Sequence, residues 1–155
     1  MLTSYKGRRM EPFLESAESF YQNYLKPNMA PKMVESLTWH QSQGHQTILL
    51  TGSIEYYLKP VVRDFRIDHL LCTHLEMDEA GILTGKSLGP VCVGSRKLEL
   101  SLSLAEEHGI DLSQSYAYGN SHLDIPILKR VKHPVMVNPN EKLREFGEER
   151  AWPTL

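Results

Sequence analysis

Ser115-Tyr116-Ala117-Tyr118-Gly119-Asn120-Ser121-His122-Leu123-Asp124 is the stretch on which the fold turns. A short apolar and aromatic run ends in Gly-Asn-Ser, and an acid follows on what reads as the first turn of a helix over Leu123 to Val131. In an α/β protein this is how polar groups come to lie at the carboxyl end of a parallel strand, where such folds bind their ligands. Glycine lets the chain turn sharply, and an amide and a carboxylate then converge on one small volume. Two oxygen-bearing side chains there suit a hard cation such as Mg²⁺. A plainer reading makes Asn120 or Ser121 the N-cap of the helix.

Working outward, the pattern alternates between strand and helix. Upstream, Gln114 to Tyr118 reads as a strand, preceded by a helix from Ser95 to about His108 that buries Leu98, Leu102 and Ala105 and stops at Gly109. Downstream, Pro134 to Asn138 reads as a strand and Glu141 to Arg150 as a helix. Earlier, Gln46 to Leu50 is an apolar strand ending at Thr51-Gly52-Ser53. It is followed by a helix from Ile54 to Phe65, which Pro60 should bend or shorten. Asp68 to Thr73 is the next strand. Leu75 to Met77 and Ile82 to Thr84 flank a hairpin turn at Asp78-Glu79-Ala80-Gly81, and Leu88 to Val93 reads as extended. The amino-terminal part is helical: Pro12 to Leu25, then Pro31 to about Gln43, burying Met33, Val34, Leu37 and His40 or Trp39, with Gly44 as the stop. Such alternation argues a parallel sheet with helices on its faces.

Composition narrows the function. At 155 residues the chain has room for one hydrophobic core. A formal charge of −2 offers no field for nucleic acid or an anionic membrane. The apolar runs are strand-sized, and the start of the chain is too polar for a signal peptide. The 2 cysteines, Cys72 and Cys92, form no CxxC pair, so a cytoplasmic, reduced protein is expected. The histidines lack zinc-ligand spacing and read as surface or core residues.

Three polar groups sit at comparable places. Thr51 follows Ile48-Leu49-Leu50 and leads through Gly52-Ser53 toward a helix; hydroxyls and free N–H groups there suit phosphate, or serve as caps alone. Lys97 falls in the first turn of its helix, where a cation opposes the helix dipole. A bound phosphate would account for it, and a solvated lysine is the plain alternative. Asn120 and Asp124 complete the set, as metal ligand and metal support.

A hydroxyl after a strand, then a lysine, then Gly-Asn-Ser-x-x-Asp resembles motifs two to four of the haloacid dehalogenase (HAD) superfamily, closest to its subfamily IB, the phosphoserine-phosphatase-like branch. Trp39-His40 to Gly44-His45, Leu50-Thr51-Gly52-Ser53, Leu83-Thr84-Gly85, Gly89-Pro90 with Cys92, Tyr116-Ala117-Tyr118, Asp124-x-Pro126 and His133-Pro134 to Val137-Asn138-Pro139 fit that branch. The tail Glu149-Arg150-Ala151-Trp152-Pro153 resembles its Arg-Gly-Trp-Pro ending. The resemblance implies an HAD-like Rossmannoid parallel sheet with helices on both faces, with residues 1–43 as a partial helical cap and connecting helix and 44–155 as the core. It also implies Mg²⁺-dependent hydrolysis of the phosphate ester of a small metabolite through an aspartyl-phosphate. Carried over by position, Thr51, Gly52, Ser53 and Lys97 would hold phosphate, Asn120 would bind Mg²⁺, and Asp124 would support the metal shell.

Two departures qualify the picture. The family's opening Asp-x-Asp-x-Thr, nucleophile and general acid, is absent; no Asp-x-Asp occurs anywhere. The chain is thus expected to lack the first strand, to be inactive alone, and to invite self-association or a partner strand along its exposed edges. Asn120 stands where aspartate is usual, which weakens any Mg²⁺ site. The competing function is a non-catalytic phosphate-binding or interaction module, or an inert truncated fragment. A flavodoxin-like nucleotide binder shares the fold class but lacks its glycine-rich loop.

Overall fold

The computed structural model describes residues 2–155. The chain divides into two compact units, one ending at Cys92 and one comprising Val93–Leu155.

The first unit opens with a 3₁₀ turn, Leu2–Tyr5, and helix α1, Glu11–Phe20. The expected helix to Leu25 changes character on the way: Tyr21–Leu25 is a π turn and Lys26–Asn28 a 3₁₀ turn, before α2, Pro31–Ser42. Gly44 terminates α2 at φ +71°, a conformation glycine reaches without steric cost. His40 is the buried residue of α2, whereas Trp39 stays 46% exposed, which resolves the open choice between them. Strand β1, Ile48–Ile54, pairs in parallel with β2, His69–Thr73, across α3, Glu55–Phe65. Pro60 lies inside α3 without ending it, so the expected shortening does not occur. Its missing N–H costs one helical bond, and its ring is buried, as are Leu58 and Val61.

Strands β3, Leu75–Met77, and β4, Leu83–Ser87, form the expected hairpin. Asp78 builds its turn by accepting the N–H groups of Ala80 and Ile82. The start of the chain runs along this hairpin: Gly7 donates to the Leu83 carbonyl and Leu83 to that of Arg8. Met10, Ile54, Leu75 and Leu83 form the core beneath, with Phe13, Tyr56 and Tyr57 against it. The expected extended segment at Leu88–Val93 joins no strand among the described residues. Gly89 and Pro90 interrupt it, and the Cys92 N–H bonds a side chain, Thr73 Oγ1, rather than a ladder.

In the second unit α4, Ser95–His108, has the expected bounds, but its inward stripe is rotated: Ser101 and Ala105 are buried and Leu102 is 38% exposed. Strand β5, Tyr116–Gly119, pairs in parallel with β6, His133–Met136, and a bridge from Met136 to Thr154 covers the far side of β6. Between them lie a 3₁₀ turn, His122–Asp124, and the short helix α5, Ile125–Leu128; α6, Glu141–Glu148, follows. Leu128, Met136 and Leu143 form this unit's core, with Trp152 packed against it. Among the described residues β1 pairs with β2 alone and β5 with β6 alone among the strands.

Candidate functional site

The Gly119–Asp124 junction is organised by one carboxylate. Asp124 is 5% exposed. Its Oδ2 accepts the backbone N–H groups of Asn120 and Ser121, each at 3.1 Å. Its Oδ1 accepts from Lys97 Nζ at 2.6 Å. Ser121 Oγ takes the Leu123 N–H at 3.2 Å, completing a capping box with Asp124. The sequence explains the geometry locally. Gly119 ends β5 where a Cβ would lie 2.9 Å from Asp124 Cβ and 2.9 Å from Leu128 Cδ1, so only glycine admits the acid this close. Lys97, in the first turn of α4, reaches across with its side chain 15% exposed. Its place against the helix dipole is accounted for by this buried ion pair.

Asn140 is a residue that sequence reasoning missed. Its N–H donates to the Asn120 carbonyl at 2.9 Å, and its Oδ1 accepts from His122 N–H at 3.2 Å and Leu143 N–H at 3.0 Å. It therefore caps α6 and ties that helix to the loop carrying Asn120. An asparagine before Glu141 and the apolar Leu143 was the available signal, an N-cap in form.

In the first unit, β1 does not stop at Leu50 but runs through Thr51, Gly52 and Ser53 to Ile54, so the hydroxyl pair lies in extended chain and not at a helix start. The register jumps there: Leu50 faces Leu71 and Ile54 faces Thr73, so β1 bulges outward at the motif. Thr51 Oγ1 accepts the Ser53 N–H at 3.2 Å, and Gly52 and Ser53 are exposed. Thr73, another residue missed from sequence, holds the bulge from beneath. Fully buried, it donates to the Gly52 carbonyl at 3.0 Å and accepts the Cys92 N–H at 3.1 Å.

Other titratable groups of this unit carry no comparable chemistry. Burial pushes the Cys72 thiol up to about 12, which keeps it protonated and unreactive at neutral pH. Burial acts to raise the Glu55 carboxyl, yet its bond to His74 at 2.8 Å and the charge of Lys59 leave it below its ordinary value. Among the described residues no group of three His, Cys, Asp or Glu side chains gathers as a metal cage.

Lys97 and Asp124 thus meet directly, with Asn120 and Ser121 held on the same carboxylate; Thr51, Gly52 and Ser53 share one bulge in the other unit. Asp124 has both oxygens engaged, and Asn120, exposed at the turn, offers one neutral amide oxygen. These residues fit one ligand of a Mg²⁺ shell and the support behind it, not a whole shell.

The model of the haloacid dehalogenase-like hydrolases matches residues 1–129. A histidinol-phosphatase of Neisseria meningitidis serogroup C is 29% identical over 94% of this chain and 67% of its own length. Phosphoserine phosphatase SerB1 of Mycobacterium tuberculosis is 28% identical over 95% of this chain and 47% of its own. The chain therefore spans about half to two thirds of these two relatives. Among solved structures, a protein of unknown function from Bordetella pertussis matches with a TM-score of 0.88 at 25% identity, covering 99% of this chain and 70% of that one. A probable phosphoserine phosphatase from Vibrio cholerae matches with a TM-score of 0.77 at 18% identity, covering 99% and 44%, and shows the fold alone. The expected HAD-like α/β fold is the one found. No helix of the described residues is long and apolar enough to cross a membrane.

Proposed function

The chain belongs to the haloacid dehalogenase-like hydrolases, and on that footing we propose that it is the phosphate-handling part of a Mg²⁺-dependent phosphomonoesterase of the phosphoserine-phosphatase-like group. Its substrate class is a small phosphorylated metabolite, in keeping with the phosphatase relatives. The observation that carries this reading is the Lys97–Asp124 pair at 2.6 Å. An ammonium has three N–H donors, and Asp124 takes one. The pair fixes the position of the Lys97 ammonium, with donors left over for a phosphoryl oxygen. In the second unit Lys97 would neutralise charge on a phosphoryl group and Asn120 would contribute one oxygen ligand to Mg²⁺; in the first, Thr51 Oγ1 and the Gly52 and Ser53 backbone would bind phosphoryl oxygens. When bound, the metal would supply further positive charge to the same phosphoryl group.

The family's attacking aspartate has no counterpart in this sequence. Asp124 has both oxygens engaged, and no Asp-x-Asp is present. The chain alone therefore binds phosphate without turning over its esters, and the nucleophile comes from a strand supplied in addition. The test has two arms. Inorganic phosphate, titrated with Mg²⁺ and followed by ³¹P resonance, should bind saturably and lose that binding in Lys97→Met. A peptide with an apolar strand followed by Asp-x-Asp-x-Thr, added in trans, should then bring Mg²⁺-dependent hydrolysis of 4-nitrophenyl phosphate. Turnover by the chain alone would mean an unrecognised nucleophile. Phosphate binding that the peptide never converts to turnover would favour the non-catalytic phosphate-binding module, a reading to which Asn120 in place of an acid lends support.

A further inference from the structure

A second polar concavity lies in the second unit, at the other end of its strands. Tyr116 and His133 are the first residues of β5 and β6 and are register partners. Their rings stack with centroids 4.3 Å apart and planes within 20°, making a flat aromatic wall. A cleft of about 610 Å³ opens beside them. Lys129 and Lys132, on the turn between α5 and β6, and Arg150 and Trp152, beyond α6, complete its lining, which contains no aspartate or glutamate. Lysines on a turn after a helix are commonly only solvated, and an isolated pair would carry nothing. Here they are gathered on a cleft with an aromatic wall, in a chain whose formal charge is −2.

The charges are spent on no close ion pair among the described residues, although the Lys132 charge reaches Asp111, whose carboxyl is held below its ordinary value first by its hydrogen bonds to Ser113. Among the described residues neither Lys129 nor Lys132 makes an ion pair, and Lys132 Nζ donates to a neutral acceptor, Gln114 Oε1, at 3.0 Å. Arg150 is held over the Phe146 ring, bonded to the Phe146 carbonyl and paired with Glu149 at 3.2 Å, so it contributes less. The volume lies within the range of small-molecule clefts. Cations and a flat π surface together select a ligand that is anionic at one end and planar at the other.

We propose that this cleft is a second binding site, separate from the Lys97–Asp124 centre, for a phosphate monoester bearing a flat heteroaromatic ring, with the phosphate on Lys129 and Lys132 and the ring on the Tyr116–His133 wall. Gly119 closes β5 at its carboxyl end, so the cleft is roughly 10 Å from the Asp124 junction, three strand steps of about 3.3 Å. A ligand here does not occupy the phosphate site of the other end. The site is non-catalytic, since no metal ligand or nucleophilic carboxylate lines it.

The test uses adenosine 5′-monophosphate as the probe, titrated into the whole chain without metal and followed by calorimetry and by the aromatic proton resonances. Saturable binding is expected, with shifts at Tyr116 and His133. Lys129→Gln with Lys132→Gln should weaken it about tenfold, the scale of two exposed ion pairs, and added salt should weaken the unaltered chain in the same sense. Both changes are at exposed positions, and an unchanged thermal melt will show that the fold is intact. Lys97→Met should leave the affinity as it was. This last variant separates the present site from the proposed phosphate centre, whose ligand it should abolish. The proposal is overturned by the absence of saturation up to about 10 mM, the weak end of specific affinity. It is equally overturned by an affinity undiminished in the double glutamine variant, or by binding that disappears in Lys97→Met.

Discussion

At the Gly119–Asp124 junction a buried carboxylate gathers Lys97, Asn120 and Ser121 on its two oxygens. At Thr51–Ser53 an exposed hydroxyl turn reaches only its own neighbour, and the order comes from Thr73 beneath. The first is a junction where a parallel strand gives way to a polar turn, the second a bulge within a strand that continues. One is organised by charge in a poorly hydrated setting, where each contact is worth more and each lost partner costs more. The other is organised by neutral hydrogen bonds to a bulged backbone. The first is therefore rigid before any ligand arrives. The second, with Gly52 and Ser53 exposed, relies on a single buried threonine for its shape.

The largest expected effect comes from Asp124→Ala. It orphans the Lys97 charge and two N–H groups, and should destabilise by about 3–5 kcal/mol in urea unfolding. Adding Lys97→Met should recover part of that loss, because the unpaired charge goes with it. A loss in Asp124→Ala no greater than that of an ordinary surface substitution would mean that the carboxylate does not organise the junction. Next comes Gly119→Ala, whose new Cβ would press on Asp124 and on the fully buried Leu128. Overpacking of this kind should cost about 1–3 kcal/mol, read from the same denaturation midpoint.

Thr73→Val probes the other side of the comparison. It keeps the volume but leaves the Gly52 carbonyl and the Cys92 N–H without their partner, at a cost of about 1–3 kcal/mol. Amide exchange should quicken at Gly52 and Ser53 while Asn120 and Ser121 stay protected. Equal quickening at both junctions would break the contrast. The smallest effect on stability belongs to Thr51→Val, within about 0.5 kcal/mol, since the bond its Oγ1 accepts from Ser53 N–H is local and half-exposed. Under the proposed function the same change should weaken phosphate binding in the ³¹P titration. Lost stability without lost affinity would assign Thr51 to the bulge alone.

Much of this was legible beforehand because it is local. Alternating apolar runs and punctuating glycines place α2 and α4 nearly residue for residue, and the β3–β4 hairpin by its turn, although β4 runs on to Ser87. The polar residues proposed for the site come from resemblance and from their position after strands. The Thr73 bond to Gly52 and the Asn140 bond to His122 span 21 and 18 residues, and no local period records such pairs; only the Asn140 cap on Leu143 is local. The rotation of α4 has the same origin: Leu98, Leu102 and Ala105 make an equally good stripe on paper, but packing buries Ser101 with Ala105 instead.

By itself the sequence determined the class of the fold, the order of its elements and the types of residue available at each strand end, because these follow from the nearest neighbours along the chain. Only the tertiary structure decided that Asp124 is spent on two backbone amides and a lysine, that Thr51 to Ser53 bulge from a continuing strand, and that Tyr116, His133, Lys129 and Lys132 share one cleft. Those outcomes depend on which distant groups burial brings within hydrogen-bonding or stacking distance, and burial is a property of the packed chain.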